Sequence, residues 1–396
     1  MTLLILSIIV IFTSIFHSWP FAESRLWQQL SPPNVCVIIG SLLIVSKIYK
    51  NYTLLKNHIP HVSIISFLLV NFLSLIITPD IERSVVVIIK LILILFWAYV
   101  LLSYSIADLK KIVLLSYVTV ISVAILVSYC LVRRYGYEDS GCGFFNSPYK
   151  YSSYIGTLLP FCSVFLLLSR KTILIVLGSL LVIAGVLSCA SVGGFLAILL
   201  SMSLILFLLP LWRIKILIIM LFICILASMY FGHGHKAIQQ LKDDAKITES
   251  NEPHIKQRYI EWQAELNMLE DKTILGSGTG CINEYRSKYY YRLPKLNTLN
   301  EYDYNGWLLV AGECGVLGLV CFMWIFQYNF YSLWKKLSSV HKRSIDTEQR
   351  ILYACFAGTV GAVVSHMFSS LLYNGVSIAF IVILVISNRT IMYSEE

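Results

Sequence analysis

The apolar residues of this chain come in long runs separated by short polar stretches. A helix needs about twenty predominantly apolar residues to cross a bilayer. Runs of that kind lie at 3–17, 34–49, 61–79, 85–104, 112–132, 151–169, 172–190, 193–211, 214–231, 306–330, 351–372 and 374–391. They predict an all-α integral membrane protein with about twelve transmembrane helices. No internal repeat is visible across these spans.

One polar interval breaks the pattern. Residues 232–305 are mixed in charge and rich in tyrosine, with Tyr285, Tyr289, Tyr290 and Tyr291 followed by Tyr302 and Tyr304. The chain therefore divides into spans one to nine (1–231), a large loop (232–305), and spans ten to twelve with a short tail (306–396). Within the loop, Ser250-Asn251-Glu252-Pro253 is a helix start with proline near the first turn. It predicts a helix from about His254 to Asp271, ending before the run Gly276-Ser277-Gly278-Thr279-Gly280.

Charge sets the orientation. With the N-terminus in the cytoplasm, the inside loops hold Lys50 and Lys56, Lys110 and Lys111, Arg170 and Lys171, and Arg213 and Lys215. The inside set closes with Lys335, Lys336, Lys342, Arg343 and Arg350. The short outside loops hold Arg25, Arg83 beside Asp80 and Glu82, and the pair Arg133 and Arg134. This positive-inside bias predicts both termini in the cytoplasm and the large loop in the periplasm of a bacterial inner membrane.

Composition agrees with the runs. Of 396 residues, 57% are hydrophobic and 13% charged, about half the charge of a soluble domain, and the mean hydropathy is +0.74. The net charge of +9 resides mostly in short loops, as orientation signals do, so no nucleic-acid partner is expected. Residues 3–16 are read as a span rather than a signal peptide, because no basic stretch precedes them and Trp19-Pro20-Phe21 is a poor cleavage site. The ten cysteines form no CxxC pair and no Cys/His cluster at metal spacing. No metal or cofactor is expected. Cys142 and Cys281 both fall in outside segments, where a disulfide between them is conceivable.

Three constellations could carry chemistry. On the loop helix, Arg258, Trp262 and Glu265 recur at i, i+4 and i+7 and share a face. A guanidinium can clamp phosphate oxygens in two parallel hydrogen bonds, and an indole can stack on a sugar. The plainer alternative is a solvated face with an Arg–Glu pair. The second is the turn Gly141-Cys142-Gly143-Phe144-Phe145-Asn146-Ser147-Pro148, rimmed by Arg133, Arg134 and Lys150. Its basic rim suits a diphosphate headgroup, and its alternative is an ordinary turn. The third is Asp303-Tyr304-Asn305-Gly306-Trp307, running into Glu313, an ionisable group inside an apolar run. Lys90 can snorkel to the outer surface, and His366 reads as a hydrogen-bonded core residue.

In this order the three constellations resemble the O-antigen ligase and polymerase superfamily of bacterial membrane glycosyltransferases. Lys256-Gln257-Arg258-Tyr259-Ile260-Glu261-Trp262, followed by Ile274 to Gly280, is similar to the start of that family's periplasmic loop. The stretch from Tyr304-Asn305-Gly306-Trp307 to Glu313 and Gly315 resembles its loop end, and Gly143 to Pro148 its Gly-x-Phe-x-Asn turn. The resemblance implies a metal-independent transferase whose donor is a glycan on undecaprenyl diphosphate, with a glycan, lipid A-core or protein hydroxyl as acceptor. Arg258 would match the family arginine that stabilises the leaving diphosphate, with Asn305 and Glu313 shaping the site. Where the family ligase has a His before the Asn, this chain has Tyr304, and residues 188–193 hold no Ser-Arg pair. Those departures suit a polymerase, or transfer to a protein hydroxyl, better than strict ligase chemistry. The base is left open among Asp303, Glu301 and Glu265, since an unshifted tyrosine keeps its proton at neutral pH. A lipid-glycan flippase or other transporter is the competing class, and a membrane scaffold the third.

Overall fold

A computed structural model describes residues 2–14, 32–50, 60–106, 108–136, 148–189, 191–208, 253–282, 305–338, 345–370 and 375–393, with Phe145, Tyr289 and Leu372. Every regular element among them is helical. The helices are α1 (Thr2–Thr13), α2 (Pro32–Lys50), α3 (Val62–Leu73), α4 (Ile81–Ser105), α5 (Leu109–Gly136), α6 (Pro148–Leu167), α7 (Thr172–Ser188) and α8 (Val192–Leu208). They continue with α9 (Pro253–Asp271), α10 (Gly306–Ser338), α11 (Thr347–His366) and α12 (Gly375–Tyr393).

Eleven of the twelve expected spans overlap one of these helices in their described residues, and the twelfth, 214–231, lies outside the described residues. By length and composition α4, α5, α10 and α12 can each cross a membrane, and five shorter helices are apolar throughout. Among the described residues the chain is all-α, and its apolar helices are those of a multi-pass membrane protein. The expected pair at 172–211 divides at residues 189–191, between α7 and α8. The helix expected at 254–271 is α9, and it begins at Pro253 as the proline signal requires.

Caps fix several ends. Asp80 accepts from the Arg83 amide at 3.0 Å and starts α4. Asp346 and Gln349 form a capping box at the start of α11. Asp108 accepts from the Lys111 amide at the start of α5, and that hydrogen bond holds its carboxyl below the usual range.

The core centres on α6. Tyr151, Tyr154, Phe161 and Phe165 of that helix are fully buried. It meets α11 and α8 through small residues: a side chain on Gly361 would overlap the Gly156 carbonyl, and one on Gly194 would meet Ser152. Such close backbone approach is how membrane helices gain dispersion energy where lipid offers no hydrophobic contrast. Polar rungs tie the outer helices. Asn329 of α10 donates to Thr359 of α11 and accepts from Ser387 of α12, both at 2.8 Å. Arg389 of α12 donates to the Ser103 carbonyl of α4 at 3.1 Å. Residues 92–98 of α4 form a π-helical turn, which shifts the register of its two halves.

Candidate functional site

The glycine run and α10 are built as one object. Gly276, Gly278 and Gly280 have φ of 74°, 100° and 78°, and Gly315 inside α10 has φ 67°. This left-handed region is open to glycine at little cost and strains other L-residues. In an unbroken helix the Val316 and Leu317 amides would bond the carbonyls of Gly312 and Glu313. Here both bonds are opened and handed to the turn. Val316 donates to the Thr273 carbonyl at 2.8 Å and Leu317 to that of Ile274 at 3.5 Å. In exchange, Ser277 donates to Gly312 O at 2.8 Å and Gly278 to Glu313 O at 3.0 Å. A helix break at this depth would otherwise strand four backbone groups without water, each costing several kcal/mol.

Only glycine fits the seam. A Cβ on Gly276 would lie 2.6 Å from the Gly312 carbonyl oxygen, and one on Gly315 would overlap the Ile274 carbonyl.

Beneath the turn lies a buried chain of polar side chains. Thr279 donates to Asn71 Oδ1 at 2.9 Å and pairs with Ser74 Oγ at 2.8 Å. Ser84 donates to the Thr279 carbonyl at 2.7 Å and meets Thr78 Oγ1 at 2.6 Å. These residues pin the turn to the end of α3 and the start of α4. Cys281 is fully buried in the same chain, its sulfur 3.1 Å from Thr78 Oγ1 and 3.3 Å from Ser84 Oγ. Its conceivable disulfide partner Cys142 lies outside the described residues.

The turn in turn seats α9. Ala264 and Met268 of α9 join Ile282, Tyr289 and Leu309 in a small apolar cluster against the first turns of α10. Glu265 is 3% exposed and so does not stand on a solvated surface. Trp262 is half-buried. Arg258 lies two turns before Glu265 on the same stripe of α9, although its side chain is outside the described residues.

The remaining candidates are distributed around this unit. Asn305 is the N-cap of α10: its Oδ1 accepts from the Trp307 amide at 3.0 Å. Glu313 is buried at the break itself. Arg133, with its guanidinium 5.9 Å from the Tyr129 ring centroid, and half-buried Lys150 belong to α5 and α6. Phe145 packs on Tyr151 and Tyr154. The Arg134 side chain, Asn146, Asp303, Tyr304 and Glu301 lie outside the described residues. Among the described residues, no three His, Cys, Asp or Glu side chains gather as a metal site.

Three features escaped the sequence reading: the break, the polar chain under the turn, and the place of His366. That imidazole, at the end of α11, is fully buried, 4.8 Å from the Trp307 ring and 4.9 Å from Phe322 by centroid. Its ring packs against Gly306, where any side chain would overlap it. Gly306→Ala and His366→Ala should each lower the melting temperature of the purified protein. The double variant should recover about 1–2 kcal/mol of the summed loss, because the methyl enters the space the ring vacates. Strictly additive losses would show that the two do not touch.

Residues 155–323 match the family model for O-antigen ligases. The match runs from α6 through the turn, α9 and the break, and the resemblance to the O-antigen ligase and polymerase superfamily holds over that stretch. The Gly143–Pro148 turn precedes it. No curated protein matches the chain.

Proposed function

We propose that this protein transfers a glycan from an undecaprenyl-diphosphate carrier to an acceptor at the periplasmic face of the bacterial inner membrane, as a polysaccharide polymerase or ligase. One observation carries the reading: the glycine turn and the break in α10 share their hydrogen bonds and so tie the end of α9 to α10, within the segment that matches the O-antigen ligases. A rigid platform is what glycosyl transfer needs, because holding donor and acceptor in line removes much of the entropic barrier. Arg258 would bind the diphosphate and stabilise its charge as the glycosidic bond breaks. That guanidinium takes the part a divalent cation plays elsewhere, so the reaction is metal-independent. Glu265, Asp303 or Tyr304 would receive or orient the acceptor hydroxyl, with Trp262 stacking on sugar and Asn305, Glu313, Arg133, Arg134, Asn146 and Lys150 lining the binding path. The acceptor is a glycan, a lipid A-core or a protein hydroxyl.

The transporter class predicts broken helices that line a path at the midplane. In α10 the freed backbone groups are instead taken up by the turn, which favours a fixed site over a moving one. Purified protein in liposomes with a lipid-linked oligosaccharide separates the two classes. A transferase consumes the donor and releases undecaprenyl diphosphate; movement of intact donor between leaflets without consumption would refute transfer. The proposed orientation has its own check. A cysteine at Ser250 in a cysteine-free background should react with an impermeant thiol reagent in intact spheroplasts, and labelling only after permeabilisation would reverse the topology.

A further inference from the structure

We propose that Lys90, below Arg83 on one flank of α4, is a binding station for a lipid phosphate beside the glycine turn. Arg83, Val87 and Lys90 follow one another at i, i+4 and i+7 and form a single stripe along the helix. The turn abuts that stripe at its middle: a Cβ on Gly280 would stand 2.8 Å from Val87 Cγ2. Lys90 lies one turn deeper, nine residues and about 14 Å along the axis from Ile81. Side chains on a helix lean toward its N-terminus, and the N-terminus of α4 is the end that bears the turn.

Several polar groups of the neighbouring helices are committed to one another. Asn71, Ser74, Ser84 and Thr279 are bound together, as are Asn329, Thr359 and Ser387. Lys90 is half-buried in the span and, among the described residues, makes no hydrogen bond or ion pair. The carboxylates nearest in sequence sit at the helix start, where Asp80 caps the Arg83 amide. An ammonium held in an apolar span calls for an anion that can reach it from the membrane, and a lipid phosphate is the one such group at hand. The station is also open laterally, since Ile89 beside it is 51% exposed on the lipid side.

The choice of a polyprenyl phosphate or diphosphate over bulk phospholipid rests on the transferase reading above. The station itself rests on the geometry alone. Detergent-purified protein, stripped of lipid, would be titrated with undecaprenyl phosphate and separately with phosphatidylglycerol, and bound lipid counted by native mass spectrometry. Wild type should hold undecaprenyl phosphate at tenfold lower concentration than Lys90→Gln, and Lys90→Arg should restore most of the difference. If Lys90→Gln does not fold, Lys90→Met keeps the apolar stem and drops the charge. Equal retention of phosphatidylglycerol with the same dependence on Lys90 would assign the station to bulk phospholipid and overturn the carrier. Retention that ignores residue 90 would mean that the lysine only snorkels. Neither acceptor nor turnover enters this titration, so its failure leaves the transfer reaction standing, and loss of transfer leaves the station standing.

Discussion

Arg258→Ala is expected to lower turnover by about a hundredfold or more while the protein remains folded and inserted. The magnitude is that of removing one charge-assisted contact made in the transition state, a few kcal/mol. Arg258→Lys should recover only part of it, because an ammonium cannot offer two parallel donors to a diphosphate. The position supports this expectation beyond its spacing. Two turns away on the same stripe, Glu265 is buried. The measurement is initial rate on a fixed lipid-linked donor, with melting temperature as the control for folding. Near-normal turnover in Arg258→Ala would remove the residue from the site.

Gly315→Ala is expected to undo the platform. The methyl forces a left-handed residue at a cost of about 1–2 kcal/mol. It also overlaps the Ile274 carbonyl, so at least two seam hydrogen bonds open at about 1 kcal/mol each. The sum is about 3–4 kcal/mol, read as a large drop in melting temperature, rapid proteolysis at the turn and loss of activity. Ser277→Ala provides the scale. It deletes one hydroxyl contact to the Gly312 carbonyl, 3.0 Å long, and should cost only about 1 kcal/mol. Equal effects from the two substitutions would mean that the break is not held by the turn.

The spans and α9 were legible because each is written locally. Apolar length marks a crossing helix, and Pro253 marks the start of α9. The glycine run was legible as a turn, but its purpose was not. That purpose depends on hydrogen bonds from Ser277 and Gly278 to carbonyls some 35 residues later in α10. The polar chain was less legible still. Asn71, Ser74 and Ser84 look like isolated interruptions of apolar runs, and the partner that gives them meaning, Thr279, lies about two hundred residues on. Glu313 stands out in the sequence as an ionisable group in an apolar run, and what the structure adds is its backbone: the carbonyl beside that side chain is half of the seam. In the sequence His366 reads as a hydrogen-bonded core residue. Its burial agrees, and only its contact with Gly306 ties it to the end of the large loop.

The shared hydrogen bonding of the turn and α10 sets the unit in which this architecture can be exchanged. A chimera that imports a relative's large loop but keeps residues 312–317 of its own tenth helix joins two halves of a lock cut to different keys. The transplantable module begins at α9 and ends past Leu317, and the host must offer its underside compatible polar groups, an amide at position 71 and hydroxyls at 74, 78 and 84. Grafts that respect those limits should insert and accept a new specificity. Grafts cut at the visible membrane boundary, just before Gly306, should leave the imported turn with nothing to grip.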